Sequence, residues 1–105
     1  MQIPGIIVVA SALLAANAAH AHDIGNGKVI AQVWCANCHS VDPANQRPAN
    51  DATPSFATIA GKKSTTAASL AAFLTTRHGG MPDLTLSRSE IDDVAAYILS
   101  LNGAQ

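Results

Sequence analysis

The chain has 105 residues, with six Lys and Arg, seven Asp and Glu, and a formal net charge of −1. This balance, without a basic patch, argues against a nucleic-acid partner. All of the Asp, Glu, Lys and Arg residues lie after Ala21, so the chain divides into an uncharged leader and one small domain.

The first 21 residues are typical of a secretory signal peptide. An apolar run ends in the small-residue sequence "AHA", which fits a cleavage site after Ala21. We therefore predict export to the periplasm, with Met1–Ala21 as the signal peptide and His22–Gln105 as a single domain. Because no Lys or Arg precedes the apolar run, an uncleaved membrane anchor is the alternative.

A domain of this size needs something besides its side chains to complete its core. Small chains bury only about 60% of their unfolded surface and commonly depend on disulfides, metals or cofactors. The chain has two cysteines and four aromatic residues of the Phe, Trp and Tyr types. A disulfide between Cys35 and Cys38 would close a very small loop and constrain little. The composition therefore predicts a bound apolar group.

The chain after the leader reads as short helices joined by polar loops, because no segment alternates well enough for a strand. The first helix is predicted over Ile24–Cys35, with Asp23 as its N-cap and an apolar face of Ile30, Val33 and Trp34. Gly27 within this helix suggests either a close approach by another element or a later start of the helix. The Pro-rich and Asn-rich segment Val41–Pro54 is predicted to be a loop.

Three further helices follow this loop. "SFATIAGKKS" predicts a short helix with Gly61 just after its end. The next helix is predicted to begin at a cap within Ser64–Thr66 and to stop at Gly79–Gly80. One side of this helix is expected to be lined by Leu70, Phe73, Leu74 and Arg77.

The last helix has the clearest pattern. Ser87 and Glu90 form the spacing of a capping box, and Asn102–Gly103 end the helix. The apolar positions of its predicted buried face are Ile91, Val94, Ala95, Ile98 and Leu101, with Tyr97 beside them.

Both cysteines lie in "WCANCHS", three residues apart, and His39 follows the second. A redox dithiol would place its reactive cysteine at a helix N-terminus in a βαβ setting, which this sequence lacks. A zinc site would need a second pair of Cys or His ligands, although His78 or Asp83 could supply one more donor. Two structural cysteines at this spacing by chance are a further alternative.

The spacing C-x-x-C-H fits covalent attachment of a c-type haem best. Two thiols about one helical turn apart can each join one haem vinyl group, and His39 can then offer a ring nitrogen to the iron. Met81 is the candidate second axial ligand, and His78 is the rival. Pro54 is placed to bring a backbone carbonyl to the other ring nitrogen of His39.

The chain after Ala21 resembles the bacterial class I c-type cytochromes. "GKVIAQVWCANCHSVDP" resembles the first helix and haem motif of this family, and "TPSFATIAG" its histidine-supporting proline segment. "HGGMPDLTLSRSEIDDVAAYILSL" resembles the methionine-ligand loop and the last helix. The resemblance implies an all-α cytochrome c fold of three to five short helices and long loops around one haem. Its first and last helices cross where Gly27 meets Tyr97.

The resemblance implies a non-enzymatic electron-transfer protein with Cys35 and Cys38 as tethers and His39 and Met81 as iron ligands. Its partners would be redox proteins, and we expect it to be a monomer. One alternative is a cytochrome subunit of a periplasmic dehydrogenase or oxidase. Another is a haem sensor or catalyst with an open iron position, in which Met81 would not ligate.

Overall fold

The computed structural model describes residues 1–5, 22–47, 52–76, 81 and 84–103. These residues form helix α1 (Ile24–Ile30), a π-helical segment (Ala31–Cys35), and helices α2 (Phe56–Gly61), α3 (Ala67–Thr75) and α4 (Arg88–Ser100). No strand occurs within these ranges, so the predicted all-α class is confirmed. None of the helices described is long and apolar enough to cross a membrane. Most of the predicted signal peptide, residues 6–21, lies outside the described residues.

Helix α1 begins where the sequence predicts. The Asp23 side chain accepts a hydrogen bond from the Asn26 backbone N–H at 2.9 Å, which satisfies one of the free donors of the first turn. Asp93 of α4 supports the same end, because its carboxylate accepts from the Asp23 N–H at 2.8 Å and from the Asn26 side-chain amide at 2.9 Å. The start of the first helix is therefore attached directly to the last helix.

The predicted first helix changes its winding halfway along. The Ala36 N–H donates to the Ala31 carbonyl at 3.0 Å, which is the five-residue spacing of a π-helix. The wider turn alters which side chains follow Ile30 on the buried face. Val33 and Trp34 are 58% and 56% exposed, so the prediction that they share the face of Ile30 is wrong. The buried positions of this helical stretch are Gly27, Ile30, Ala31 and Cys35.

Helix α4 matches its prediction closely. Ser87 accepts from the Glu90 N–H at 3.1 Å, and the Glu90 carboxylate accepts from the Ser87 N–H at 2.9 Å, which completes the capping box. These bonds hold the pKa of the Glu90 carboxyl below its ordinary value. The predicted apolar positions are all buried: Ile91, Val94, Ala95, Ile98 and Leu101, together with Tyr97.

Gly27 lies at the crossing of α1 and α4, which form the most extensive helix pair described. A Cβ atom at this position would lie 2.5 Å from the carbonyl carbon of Asp93 and 3.0 Å from the Cβ of Tyr97. The first distance cannot be relieved by a side-chain rotation, because the neighbour is backbone. The predicted close approach at Gly27, and its meeting with Tyr97, are therefore confirmed.

The ends of the two middle helices differ from the predictions. Gly61 is the last residue of α2, and Lys62 with φ −75° follows as its C-cap, so Gly61 does not stand beyond the helix. Helix α3 starts with the expected cap, Thr66, but ends at Thr75, where the extended Thr76 follows. The predicted stop at Gly79–Gly80 is therefore too late, and those glycines lie outside the described residues.

The apolar side of α3 is narrower than expected. Leu70 is buried and Leu74 is half-buried against the core, but Phe73 is 52% exposed. Arg77 lies outside the described residues. The core joins α4 to α1, α2 and α3, and Cys35, Val41 and Phe56 extend it to the sequence that follows the first helix. The C-x-x-C-H motif therefore begins at the core and leads out of it.

Candidate functional site

The C-x-x-C-H motif forms a tight turn at the end of the π-helical segment. The N–H groups of Cys38 and His39 both donate to the Cys35 carbonyl, at 3.1 and 2.9 Å. Both cysteines are free, Cys35 being buried and Cys38 exposed. The thiol of Cys35 therefore lies in the core, whereas that of Cys38 is accessible to solvent.

The environment of Cys35 does not resemble that of a reactive dithiol. Burial raises the pKa of the Cys35 thiol to about 11, so the thiol is protonated at neutral pH. Reactive C-x-x-C cysteines have a lowered pKa at a helix N-terminus, whereas Cys35 ends a helical segment. The local structure thus gives no support to the redox-dithiol alternative.

The ring of His39 is held by the carbonyl of Pro54, whose oxygen lies 2.6 Å from Nδ1. Because a carbonyl oxygen only accepts, Nδ1 must carry the proton, and the lone pair resides on Nε2. The His39 ring also packs against Phe56, with ring centroids 5.5 Å apart. A histidine with one nitrogen bonded and the other free to coordinate has the usual arrangement of an axial ligand.

Ser40 connects the motif to the Pro54 segment. Its carbonyl accepts from the Phe56 N–H at 3.0 Å, just beyond the proline. Ser55, which is buried, caps α2 by accepting from the Thr58 N–H at 3.1 Å. Pro54 therefore immediately precedes two residues that are fixed by hydrogen bonds, Ser55 and Phe56, and this helps to place its carbonyl beside His39.

The same site contains an arginine contact that the sequence did not predict. The Arg47 guanidinium donates to the carbonyl of Ala36 and, at 3.2 Å, to that of His39. Both carbonyls belong to the haem-motif turn. No spacing rule connects Arg47 to this turn, although it is the only Lys or Arg between Lys28 and Lys62.

The donor set of this turn fits the group that the sequence predicts. Two free thiols and an imidazole with a free Nε2 are the chemistry by which a haem is tethered and ligated. Among the described residues, no three or more His, Cys, Asp or Glu side chains are grouped to hold a metal ion.

Met81, the candidate second axial ligand, is half-buried. Its rival His78, and Asp83, lie outside the described residues. Leu84 and Leu86, which follow Met81, are half-buried and pack against the core. The methionine segment therefore runs into the core just before α4 begins.

The comparisons with known proteins match almost the whole of this chain. A family model described as cytochrome C oxidase, cbb3-type, subunit III matches residues 22–98. The chain is 41% identical over 102 residues to cytochrome c-552 of Bradyrhizobium diazoefficiens, which covers 96% of each chain. It is 30% identical over 101 residues to cytochrome c6 of Synechocystis sp. PCC 6803, covering 94% of this chain and 82% of that protein. No solved structure matches significantly.

Proposed function

Because the chain belongs to the c-type cytochromes, which carry electrons on covalently bound haem, we propose that it is a periplasmic carrier of single electrons. Cys35 and Cys38 tether one haem, and His39 and Met81 are its axial ligands. The haem, when bound, supplies the redox couple through its iron. The observation that carries this proposal is the hydrogen bond from His39 Nδ1 to the Pro54 carbonyl.

That hydrogen bond sets the properties of His39 as an iron ligand. It fixes the tautomer of His39 and the orientation of the ring, and it increases the basicity of Nε2. Phe56 limits rotation of the same ring from one side. A ligand held in this way keeps its geometry during electron transfer, which lowers the reorganisation that each transfer requires. A thioether from Met81 would favour the reduced iron and raise the potential.

The test is an optical spectrum of the purified protein together with haem staining after denaturing electrophoresis. We expect a stained band, low-spin spectra and the sulfur-to-iron charge-transfer band in the ferric protein. Met81→Leu should abolish that band, while His78→Ala should leave it unchanged. Loss of the band in His78→Ala alone would contradict methionine ligation. Rapid CO or cyanide binding by the unmodified protein would favour a haem sensor or catalyst.

Charge and location complete the proposal. With a net charge of −1, the protein should show little electrostatic steering, and its transfer rates should depend weakly on ionic strength. We propose that the protein is exported and that Met1–Ala21 is then removed, which the intact mass of protein from a secreting host reports. A mass that retains these residues would favour the anchored form.

A second candidate function is a cytochrome subunit of a dehydrogenase or oxidase complex. Val29, Val33 and Trp34 are each more than half exposed on the first helical stretch, and contiguous exposed apolar side chains are typical of protein interfaces. The description of the matching family as an oxidase subunit agrees with this alternative. Gel filtration distinguishes the two functions, because a carrier elutes as a monomer and a subunit co-purifies with its catalytic chain.

A further inference from the structure

We propose that Arg47 is a positioning residue that closes the end of the π-helical segment and fixes the backbone of the turn formed by the C-x-x-C-H motif. Its guanidinium donates to two carbonyls of that turn, from Ala36 and His39. His39 is thus held twice, by Pro54 at its ring and by Arg47 at its backbone. The inference rests on the proposed attachment of haem at this motif.

The carbonyls at this place need a donor. Ala36 is the C-cap of the π-helical segment, and the last carbonyls of a helix have no partner within it. Both bonds come from one nitrogen of Arg47, Nη2, whose two N–H groups point in fixed directions within the plane of the guanidinium. Its positive charge also complements the negative end of the helix dipole. A lysine would bring the charge on a shorter side chain whose ammonium group rotates freely, without the fixed N–H directions of the guanidinium.

The position of Arg47 is fixed by hydrogen bonds of its backbone as well as by those of its side chain. Its N–H donates to the Ser40 hydroxyl at 2.9 Å, and that hydroxyl donates back to the Arg47 carbonyl at 3.3 Å. These two bonds close the loop between Ser40 and Arg47 at its base. Within the loop, the Asp42 side chain accepts from the Ala44 N–H at 2.9 Å, and the Asp42 carbonyl from the Asn45 N–H at 3.0 Å.

The closed loop explains why a long, exposed side chain can hold the turn. Ordering an arginine costs side-chain entropy, which makes isolated surface contacts weak. Here Ser40 is buried and immediately follows His39, so the base of the loop is fixed beside the carbonyls that Arg47 contacts. The Arg47 side chain therefore starts from a backbone position close to its acceptors, which reduces the number of conformations that it loses on forming these bonds.

Two separable effects follow from this arrangement. The two bonds from Arg47 Nη2 restrain the turn, so the Cys38 and His39 amides that bond to the Cys35 carbonyl should open less often. The charge should favour the reduced haem, because reduction of the iron removes one positive charge and the guanidinium contacts the backbone of His39, the residue that would ligate that iron. The first effect depends on the shape of the side chain and the second on its charge.

The experiment compares the Arg47→Gln, Arg47→Lys and Arg88→Gln variants of the holoprotein. Arg88 is a matched control for the loss of an arginine, since its guanidinium pairs with Asp92 of its own helix at 3.5 Å. Amide hydrogen exchange at Cys38 and His39 measures the restraint. The midpoint potential of the haem measures the charge.

In Arg47→Gln, we expect exchange at these amides to accelerate about tenfold or more and the potential to fall. Arg47→Lys should keep the potential close to that of the unmodified protein but show accelerated exchange. Arg88→Gln should change neither quantity comparably.

Unchanged exchange in both Arg47 variants would overturn the inference, as would equal potential shifts in Arg47→Gln and Arg88→Gln. If Arg47→Gln does not accumulate as holoprotein, exchange in Arg47→Lys decides the question. Failure of the proposed function is distinguishable, because the unmodified protein would then contain no covalently bound haem.

Discussion

The crossing of α1 and α4 and the haem-motif turn lie on one continuous helical stretch, yet different contacts hold them. At the crossing, Gly27 brings two backbones together, and the neighbouring side chains are buried. At the turn, the contacts are hydrogen bonds to carbonyls of Cys35, Ala36, His39 and Pro54. Packing fixes the first region, whereas hydrogen bonds to backbone carbonyls fix the second.

This difference indicates which region depends on the cofactor. The crossing buries apolar surface by itself, and its geometry follows from the sizes of the side chains. The turn leaves a thiol exposed at Cys38 and a ring nitrogen free at His39, so its full set of contacts requires the haem. Four predictions examine this contrast, in order of decreasing effect.

The largest effect should follow from removing both tethers, in Cys35→Ala with Cys38→Ala. We expect loss of all haem staining after denaturing electrophoresis and loss of most of the helical circular dichroism signal. A small domain gains much of its stability from a cofactor that binds only the folded state. Cys38→Ala alone removes one tether but no buried side chain, so it separates the loss of a tether from the loss of packing at Cys35. Full helical signal without haem would mean that the crossing is self-sufficient.

Gly27→Ala should be the most damaging single change at the crossing. The new methyl group would meet the Asp93 backbone, so the helices must separate, at a cost of about 3 kcal/mol in the free energy of unfolding. Gly25→Ala is the matched control in the same helix, because its Cβ would meet only the Asp23 carboxylate at 3.4 Å. Denaturant unfolding should find that control unchanged or stabilised by up to about 1 kcal/mol. Equal effects would disprove tight packing at Gly27.

Tyr97→Phe should affect the link between the two regions. The buried Tyr97 hydroxyl donates to the Val41 carbonyl at 2.5 Å, just beyond the haem motif, and its ring lies 6.5 Å from that of Phe56. Losing the hydroxyl leaves a carbonyl without its donor, at a cost of about 1–2 kcal/mol. Ser100→Ala, which removes a bond to the Tyr97 carbonyl at an exposed position, should cost less in the same unfolding experiment.

Asp93→Asn should have the smallest effect and a characteristic pH dependence. Bonds from the Asn26 side chain and the Asp23 backbone lower the Asp93 pKa below its ordinary value of 3.8. The carboxylate therefore stabilises the fold at pH values above 3.8, and this contribution is lost as the pH falls through the lowered pKa. Its size should be less than about 1 kcal/mol, because the group faces solvent.

The comparison for Asp93→Asn is Asp92→Asn, which removes the same charge from an i,i+4 pair with Arg88. Thermal unfolding between neutral pH and about pH 3 should show a weaker acid dependence in Asp93→Asn than in Asp92→Asn. The reverse order would contradict the role of Asp93 at the start of α1.

Local sequence rules determined much of this protein. Asp23, Thr66 and Ser87 begin helices as predicted, because each cap bonds to a backbone N–H only three residues away. The apolar residues of α4 repeat with the period of a helix, so this local pattern also identified its buried face. The C-x-x-C-H spacing by itself favoured covalent attachment of haem, since both thiols and the imidazole lie within one turn of the chain.

The tertiary structure decided the features that involve distant residues. The π-helical winding after Ile30, which turns Val33 and Trp34 outwards, follows no local pattern of the sequence. Asp93 bonds to Asp23 across 70 residues, and the contacts of Arg47 depend on how its loop closes at Ser40. Local spacing determines where a helix starts and which thiols share a turn. Only the packed chain determines which side chain donates to the free carbonyls of that turn, here Arg47.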